Sequence, residues 1–241
     1  MIVRKAAELL RWISRWTKLP VRGILNILIP FLWNQLMYFG AKVIAGSWVH
    51  HDLSLPMDAQ IPFVPWTVLI YFSWIVYWLG CDYVLVRYSD DAEKTDRFFG
   101  ADIIAKTICF CIFLAFPTTN ARPEVAGHGL WDLCMRILYW LDTPDNLFPS
   151  IHCLVSWSCW IGIRKNQRLP RGAKAGVLVW AVLICIATLT TKQHVIMDVF
   201  GGIVLAEVCY GLAGWQRFRQ TYSKGIDRLN LYFENLSEAE K

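Results

Sequence analysis

The sequence predicts an all-α, polytopic membrane protein of about six spanning helices, with an amphipathic helix lying along the interface at its N-terminal end. Three observations lead there. Of 241 residues, 56% are hydrophobic and only 18% charged, and the charges cluster between long apolar runs. Several of those runs reach the ~20 residues that a bilayer span requires. Lys and Arg then collect in alternate loops, the pattern left when cytoplasmic segments retain basic residues. A soluble domain of this length would carry a charged surface; a mean hydropathy of +0.37 argues against that class.

Residues 1–22 open with MIVRKAAELLRWISRWTK. Leu9, Leu10, Ile13 and Trp16 alternate with Arg4, Arg11, Arg15 and Lys18, which predicts a basic amphipathic helix on anionic lipid. The segment lacks the short apolar core and small-residue cleavage site of a removable signal sequence. Residues 23–215 form the expected membrane domain, with spans at 24–45, 62–86, 99–117, 150–164, 172–190 and 194–214. The fourth is the shortest. Between the third and fourth lies a polar stretch, 118–149, with an amphipathic segment, Leu130–Leu141, suited to the interface. Residues 216–241 are read as a cytoplasmic tail.

Charge sets the expected orientation. Nineteen of the 24 Lys and Arg, from Arg4 to Lys241, fall before the first span, in the loops after the second and fourth, and in the tail. Both termini are therefore expected in the cytoplasm of a cell-membrane protein, with the intervening loops outside. That orientation accounts for the net charge of +5, so nucleic acid is not an expected partner. Lys42 is expected to anchor the outer end of the first span, the alternative being attraction of a head group. Lys106 is expected to pair with Asp102 and snorkel to the cytoplasmic edge, the alternative being an approach to the site. The eight Cys show no metal-site spacing and are read as small packing residues. His50 and His51 have no partners at metal spacing, and no metal or cofactor is expected.

The chemistry sits on the other side. Arg122-Pro123, Pro149-Ser150-Ile151-His152 and Thr190-Thr191-Lys192-Gln193-His194 with Asp198 all fall at one membrane depth. His194 and Asp198 are four residues apart, so on a helix they share a face. A carboxylate behind an imidazole sets its tautomer and supports charge on the ring, leaving the other nitrogen to attack phosphorus. Ser150 is a favoured helix N-cap, and the amides of the following turn would donate to a phosphate oxygen. His152 in that turn is placed to protonate a leaving alkoxide. Arg122 and Lys192 would balance the charge on non-bridging oxygens. Glu124 and His128 share the loop and are read as solvated.

These three motifs resemble the signatures of the type 2 phosphatidic acid phosphatase superfamily. That group also holds bacterial acid phosphatases, vanadium haloperoxidases and sphingolipid head-group transferases. The resemblance covers residues 99–214 and implies a six-helix lipid phosphatase working without metal through a phosphohistidine. In it His194 would be the nucleophile, Asp198 its partner and His152 the acid, with Arg122 and Ser150 binding phosphate. Two family cations are missing, since Ala115 and Thr188 stand at their positions. The stretches Pro117-Thr118-Thr119 and Thr191-Lys192-Gln193-His194 look more like the branch related to inositol phosphorylceramide synthases. The expected partner is a lipid phosphate or diphosphate. The alternative is transfer of a phospho-head group to an alcohol.

Overall fold

A computed structural model describes residues 2–89 and 91–238. Met1 and residues 239–241 of the two terminal segments, Lys241 among them, lie outside the described residues. The chain runs α1 (Ile2–Thr17), α2 (Val21–Ala45), α3 (Val68–Phe72), α4 (Trp74–Arg87), α5 (Ala92–Ala115), α6 (Leu130–Leu141), α7 (Ile151–Arg164), α8 (Arg171–Thr190), α9 (Ile196–Leu212) and α10 (Gln216–Glu238). Two short strands, β1 (His51–Asp52) and β2 (Thr118–Thr119), pair in parallel and tie the loop after α2 to the loop after α5.

The all-α architecture matches expectation, but the spans are not equal. Among the described residues four helical stretches are long and apolar enough to cross a bilayer: α2, Pro65–Arg87 (α3, α4 and the turn before them), α5 and α8. A fifth follows only if α9 is counted with α10, from which it bends by 87°. The fourth predicted span is α7, whose 14 residues reach ~21 Å against a hydrocarbon core of ~30 Å. Its neighbours explain the shortness. α4, α5, α8 and α9 surround it, and Cys153, Leu154, Val155, Cys159, Ile161 and Ile163 are all buried. A helix sheathed by protein has no lipid depth to match, so the apolar run marks a core helix at the bundle axis.

Around α7 the core joins Trp78, Phe99, Phe113 and Leu154 with small residues, Ala41, Ala105, Cys159 and Cys209, that let the helices approach. Lys106 departs from expectation. Its ammonium does meet Asp102, at 2.5 Å, but it lies 4.1 Å over the Trp78 ring and is 1% exposed. The side chain faces α4 from inside the bundle and does not reach an edge. Lys42 also turns inward, donating to Thr143 at 2.6 Å, with Asp145 at 3.9 Å.

The basic segments gather at one end. Arg22 forks onto Asp96 of α5 at 2.8 Å through both terminal nitrogens and reaches Asp227 of α10 at 2.7 Å. Tyr222 of α10 donates to Asn26. The residues read as a tail are thus a helix held under α2 and α5. α1 joins them by burying Leu10 against Leu25 and Phe233, leaving Leu9, Trp12 and Trp16 exposed. At the opposite end α6 buries Met135 and Leu138 against Val68 and Tyr71 and exposes Leu130, Trp131, Leu133 and Trp140. That is the two-sidedness expected of an interfacial helix.

Candidate active site

The end of α8 is built to present His194. Lys192 adopts a left-handed conformation (φ 57°). Its N–H donates to the Leu189 carbonyl at 3.1 Å, and the Gln193 N–H to Thr188 at 3.0 Å. This is the capping pattern in which glycine is the usual left-handed residue. A lysine there costs about 1–2 kcal/mol. Two contacts offset that: Lys192 Nζ donates to the carbonyls of Asp58 (3.0 Å) and Ile61 (2.5 Å), and its own carbonyl accepts from Asn120 (3.0 Å). In the structure the ammonium proposed from sequence as a phosphate ligand fastens the 58–61 loop to the turn between α8 and α9.

The chain then turns into α9. Asp198 Oδ2 accepts from the Val195 N–H at 3.0 Å and lies 3.1 Å from His194 Nδ1. One carboxylate thus caps the helix and holds the imidazole, leaving Nε2 as the free nitrogen. His194 is 6% exposed and Asp198 1%. The expected pairing is made, though His194 sits in the cap before α9 and not on its face. Asp58 Oδ1 accepts from the Ile196 N–H at 2.8 Å, closing the same turn.

α7 starts against α9. The Ser150 N–H donates to the Asp198 carbonyl at 3.0 Å, and Ser150 Oγ accepts from the Cys153 N–H at 3.3 Å, the expected N-cap. Gly202 makes this approach possible: a Cβ there would lie 2.6 Å from the Ser150 carbonyl oxygen and 3.0 Å from the Leu154 nitrogen. Thr118 Oγ1 accepts from the N–H groups of Leu147 and Phe148 and steadies the chain entering the cap. His152, in the first turn, has its ring 4.5 Å from Tyr71, 4.6 Å from Trp74 and 5.8 Å from His194.

Arg122 bridges the parts. Its guanidinium donates to the Asp142 carbonyl at 2.5 Å and to the Gln193 side chain, and lies 5.0 Å from the Tyr139 ring. Burial lowers its pKa from the ordinary value, and the Asp142 carboxylate opposes that shift. Asp142 accepts from the hydroxyls of Tyr38 and Tyr71, each at 2.7 Å. Burial alone would raise its pKa. The nearby imidazole of His152 and the two hydroxyls outweigh it, so the carboxyl titrates below the ordinary range.

A cavity of ≈250 Å³ opens beside these groups, lined by His152, His194, Asp142, Asn34 and Asn146 on its polar side. Phe39, Phe72 and Leu141 form part of its apolar side. The structure brings His194, Asp198, His152, Ser150 and Arg122 together from three distant segments. Thr188, where the family pattern has a cation, is fully buried, and its carbonyl receives the α8 cap bonds. Glu124 and His128 are exposed on their loop. Sequence reasoning missed Asp142, Tyr71, Tyr38 and Gln193. The one available signal was the acidic pair Asp142 and Asp145 directly after an amphipathic helix.

Chemically, the arrangement offers an imidazole with one nitrogen held by a carboxylate, a second imidazole beside it, and a guanidinium linked to both loops. These are the parts of nucleophilic attack with acid–base assistance. No curated protein and no solved structure matches the chain. The family model of the PAP2 superfamily matches residues 67–222, more than half of the sequence, and the chain belongs to that superfamily.

Proposed function

We propose that this membrane enzyme hydrolyses a lipid phosphate or diphosphate through a phosphohistidine, at the extracytoplasmic face of the cell membrane. The observation that carries the reading is the pairing of His194 Nδ1 with Asp198 beside His152 in one cavity. In the first step His194 Nε2 attacks phosphorus, the ester P–O bond breaks, and His152 gives its proton to the leaving oxygen. In the second, His152 takes a proton from water as the new P–O bond forms and the P–N bond breaks. Ser150 and the amides of the α7 N-terminus, with Arg122, support the phosphoryl oxygens. The apolar cavity wall suits an acyl or prenyl chain, and the basic segments at the far end favour cytoplasmic termini.

A second reading, transfer of the phospho-group to an alcohol, has its own support. Among the described residues, Asn34 Oδ1 and both amide atoms of Asn146 are buried without a hydrogen-bond partner, although both residues line the cavity. Buried amides of that kind suit the hydroxyls of an acceptor or head group. Both readings share the phosphoenzyme. The test is phosphate release from phosphatidate, phosphatidylglycerol phosphate and a polyprenyl diphosphate, with EDTA present and His194→Ala alongside. Release that vanishes in the variant supports hydrolysis. A new lipid formed from labelled donor and added alcohols, without free phosphate, selects transfer. Turnover unaffected by His194→Ala removes both.

A further inference from the structure

We infer that His152 has a carboxylate of its own, Asp142, which acts through the hydroxyl of Tyr71. Tyr71 and Asp142 are then positioning residues for the acid–base step. The inference rests on the proposed role of His152 as acid and base.

The geometry supplies the chain of contacts. Tyr71 Oη lies 2.7 Å from Asp142 Oδ2 and 3.3 Å from His152 Nδ1. A phenol has one hydrogen to give. The carboxylate, ionised and acceptor-only, receives it. The oxygen of Tyr71 is left as an acceptor, so the contact with His152 requires the hydrogen to be on Nδ1. This orders the three groups as imidazole N–H to phenol, phenol O–H to carboxylate. It also leaves His152 Nε2 as the working nitrogen, unprotonated in the neutral ring and carrying the transferable proton in the imidazolium.

The surroundings hold the chain in place. Tyr38 donates to the other oxygen of Asp142, Arg122 fixes the Asp142 carbonyl, and Lys42 with Asp145 braces the next residues through Thr143. The Tyr71 ring packs at 4.5 Å on that of His152, with Trp74 edge-on at 4.6 Å, so the imidazole keeps one orientation. The site therefore carries two carboxylate-backed histidines. Asp198 holds His194 directly, and Asp142 reaches His152 through one hydroxyl. The negative charge of Asp142 stabilises the imidazolium that donates to the leaving oxygen. It matters most when that oxygen is a poor leaving group, since a stable leaving group departs without a proton.

Two measurements decide the matter. In ¹⁵N-histidine-labelled protein in detergent, the His152 signal at neutral pH should report hydrogen on Nδ1. Tyr71→Phe should shift it toward the Nε2–H tautomer, and Asp142→Asn serves if that variant does not fold. Hydrogen on Nε2 in the native protein, or no change in a folded variant, overturns the inference. In turnover, Tyr71→Phe should slow an alkyl phosphate by about 100-fold and p-nitrophenyl phosphate by less than about 3-fold. Equal losses on both substrates would mark a structural role only and overturn it as well. The parent reading fails separately, by turnover that survives His194→Ala, and the tautomer measurement stands regardless of that result.

Discussion

Gly202→Ala perturbs the contact on which the site is assembled. The new Cβ would lie 2.6 Å from the Ser150 carbonyl oxygen and 3.0 Å from the Leu154 nitrogen. Both are backbone atoms of the first turn of α7, so no side chain can swing aside. The Ser150 carbonyl already accepts from the Leu154 N–H at 2.9 Å, and its amide is bonded to Asp198. Relief therefore requires α7 and α9 to part. Overpacking of this kind costs about 1–3 kcal/mol, partly offset by the ~1 kcal/mol that alanine gains over glycine in a helix. A net loss of up to about 2 kcal/mol should lower Tm by up to roughly 8 °C in a chain of this size. Activity should fall further than stability, because the displaced turn carries His152; misplacement by ~1 Å costs about 10²-fold. The assay is thermal unfolding in detergent beside phosphate release, with Gly176→Ala as control, since a Cβ there meets nothing within 4 Å. Native Tm and native turnover for Gly202→Ala would refute the close approach of α7 to α9.

Arg122→Lys should reduce kcat/KM by about 10²-fold, because a point charge cannot bridge the Asp142 carbonyl and the Gln193 amide as a planar fork does; a change under about 3-fold would mean that the fork is not needed. Lys106→Met leaves Asp102 buried and unpaired, and should cost about 3–5 kcal/mol, or a Tm drop of roughly 6–20 °C. Adding Asp102→Leu should recover most of it, and a double variant no better than the single would contradict the pairing. Asp142 has a folded pKa below its ordinary value, so its contribution to stability is complete above the ordinary carboxylate range. It is lost as pH falls through the lowered value, and acid unfolding of Asp142→Asn should be the flatter curve below about pH 4. Superimposable curves would contradict that shift.

What was legible in the sequence depended on whether a residue's neighbours are set locally. Leu130–Leu141 was bounded correctly because its alternation of faces is a property of the segment alone. His194 and Asp198 were legible because four residues of spacing bring them together in any cap or helix. α7 was legible as an apolar segment but not as the central helix of the bundle, since an apolar run of 14 residues reads the same whether lipid or protein surrounds it. Lys106 was assigned its partner correctly, but its depth depends on which way α5 faces α4, and that is a tertiary fact. Tyr71 stands in an aromatic stretch of a span and looks like any other ring of a bilayer segment. Only the approach of α3 to the start of α7 gives its hydroxyl a role. Asp142 lay in a loop, where solvation is the ordinary reading, and became a half-buried, hydrogen-bonded carboxylate through two tyrosines from separate helices. Lys192 shows the converse, a charge in the expected segment whose side chain serves the fold.

The most direct test of the central claim is to trap the intermediate. The purified enzyme is mixed with ³²P-labelled lipid phosphate, quenched in denaturant within milliseconds, and the labelled peptide mapped. The expected result is a base-stable, acid-labile label on His194 that is absent from His194→Ala and forms more slowly in His152→Ala, which lacks the acid for the leaving oxygen. A label on another residue, or turnover in His194→Ala without any phosphoenzyme, would contradict nucleophilic catalysis by His194.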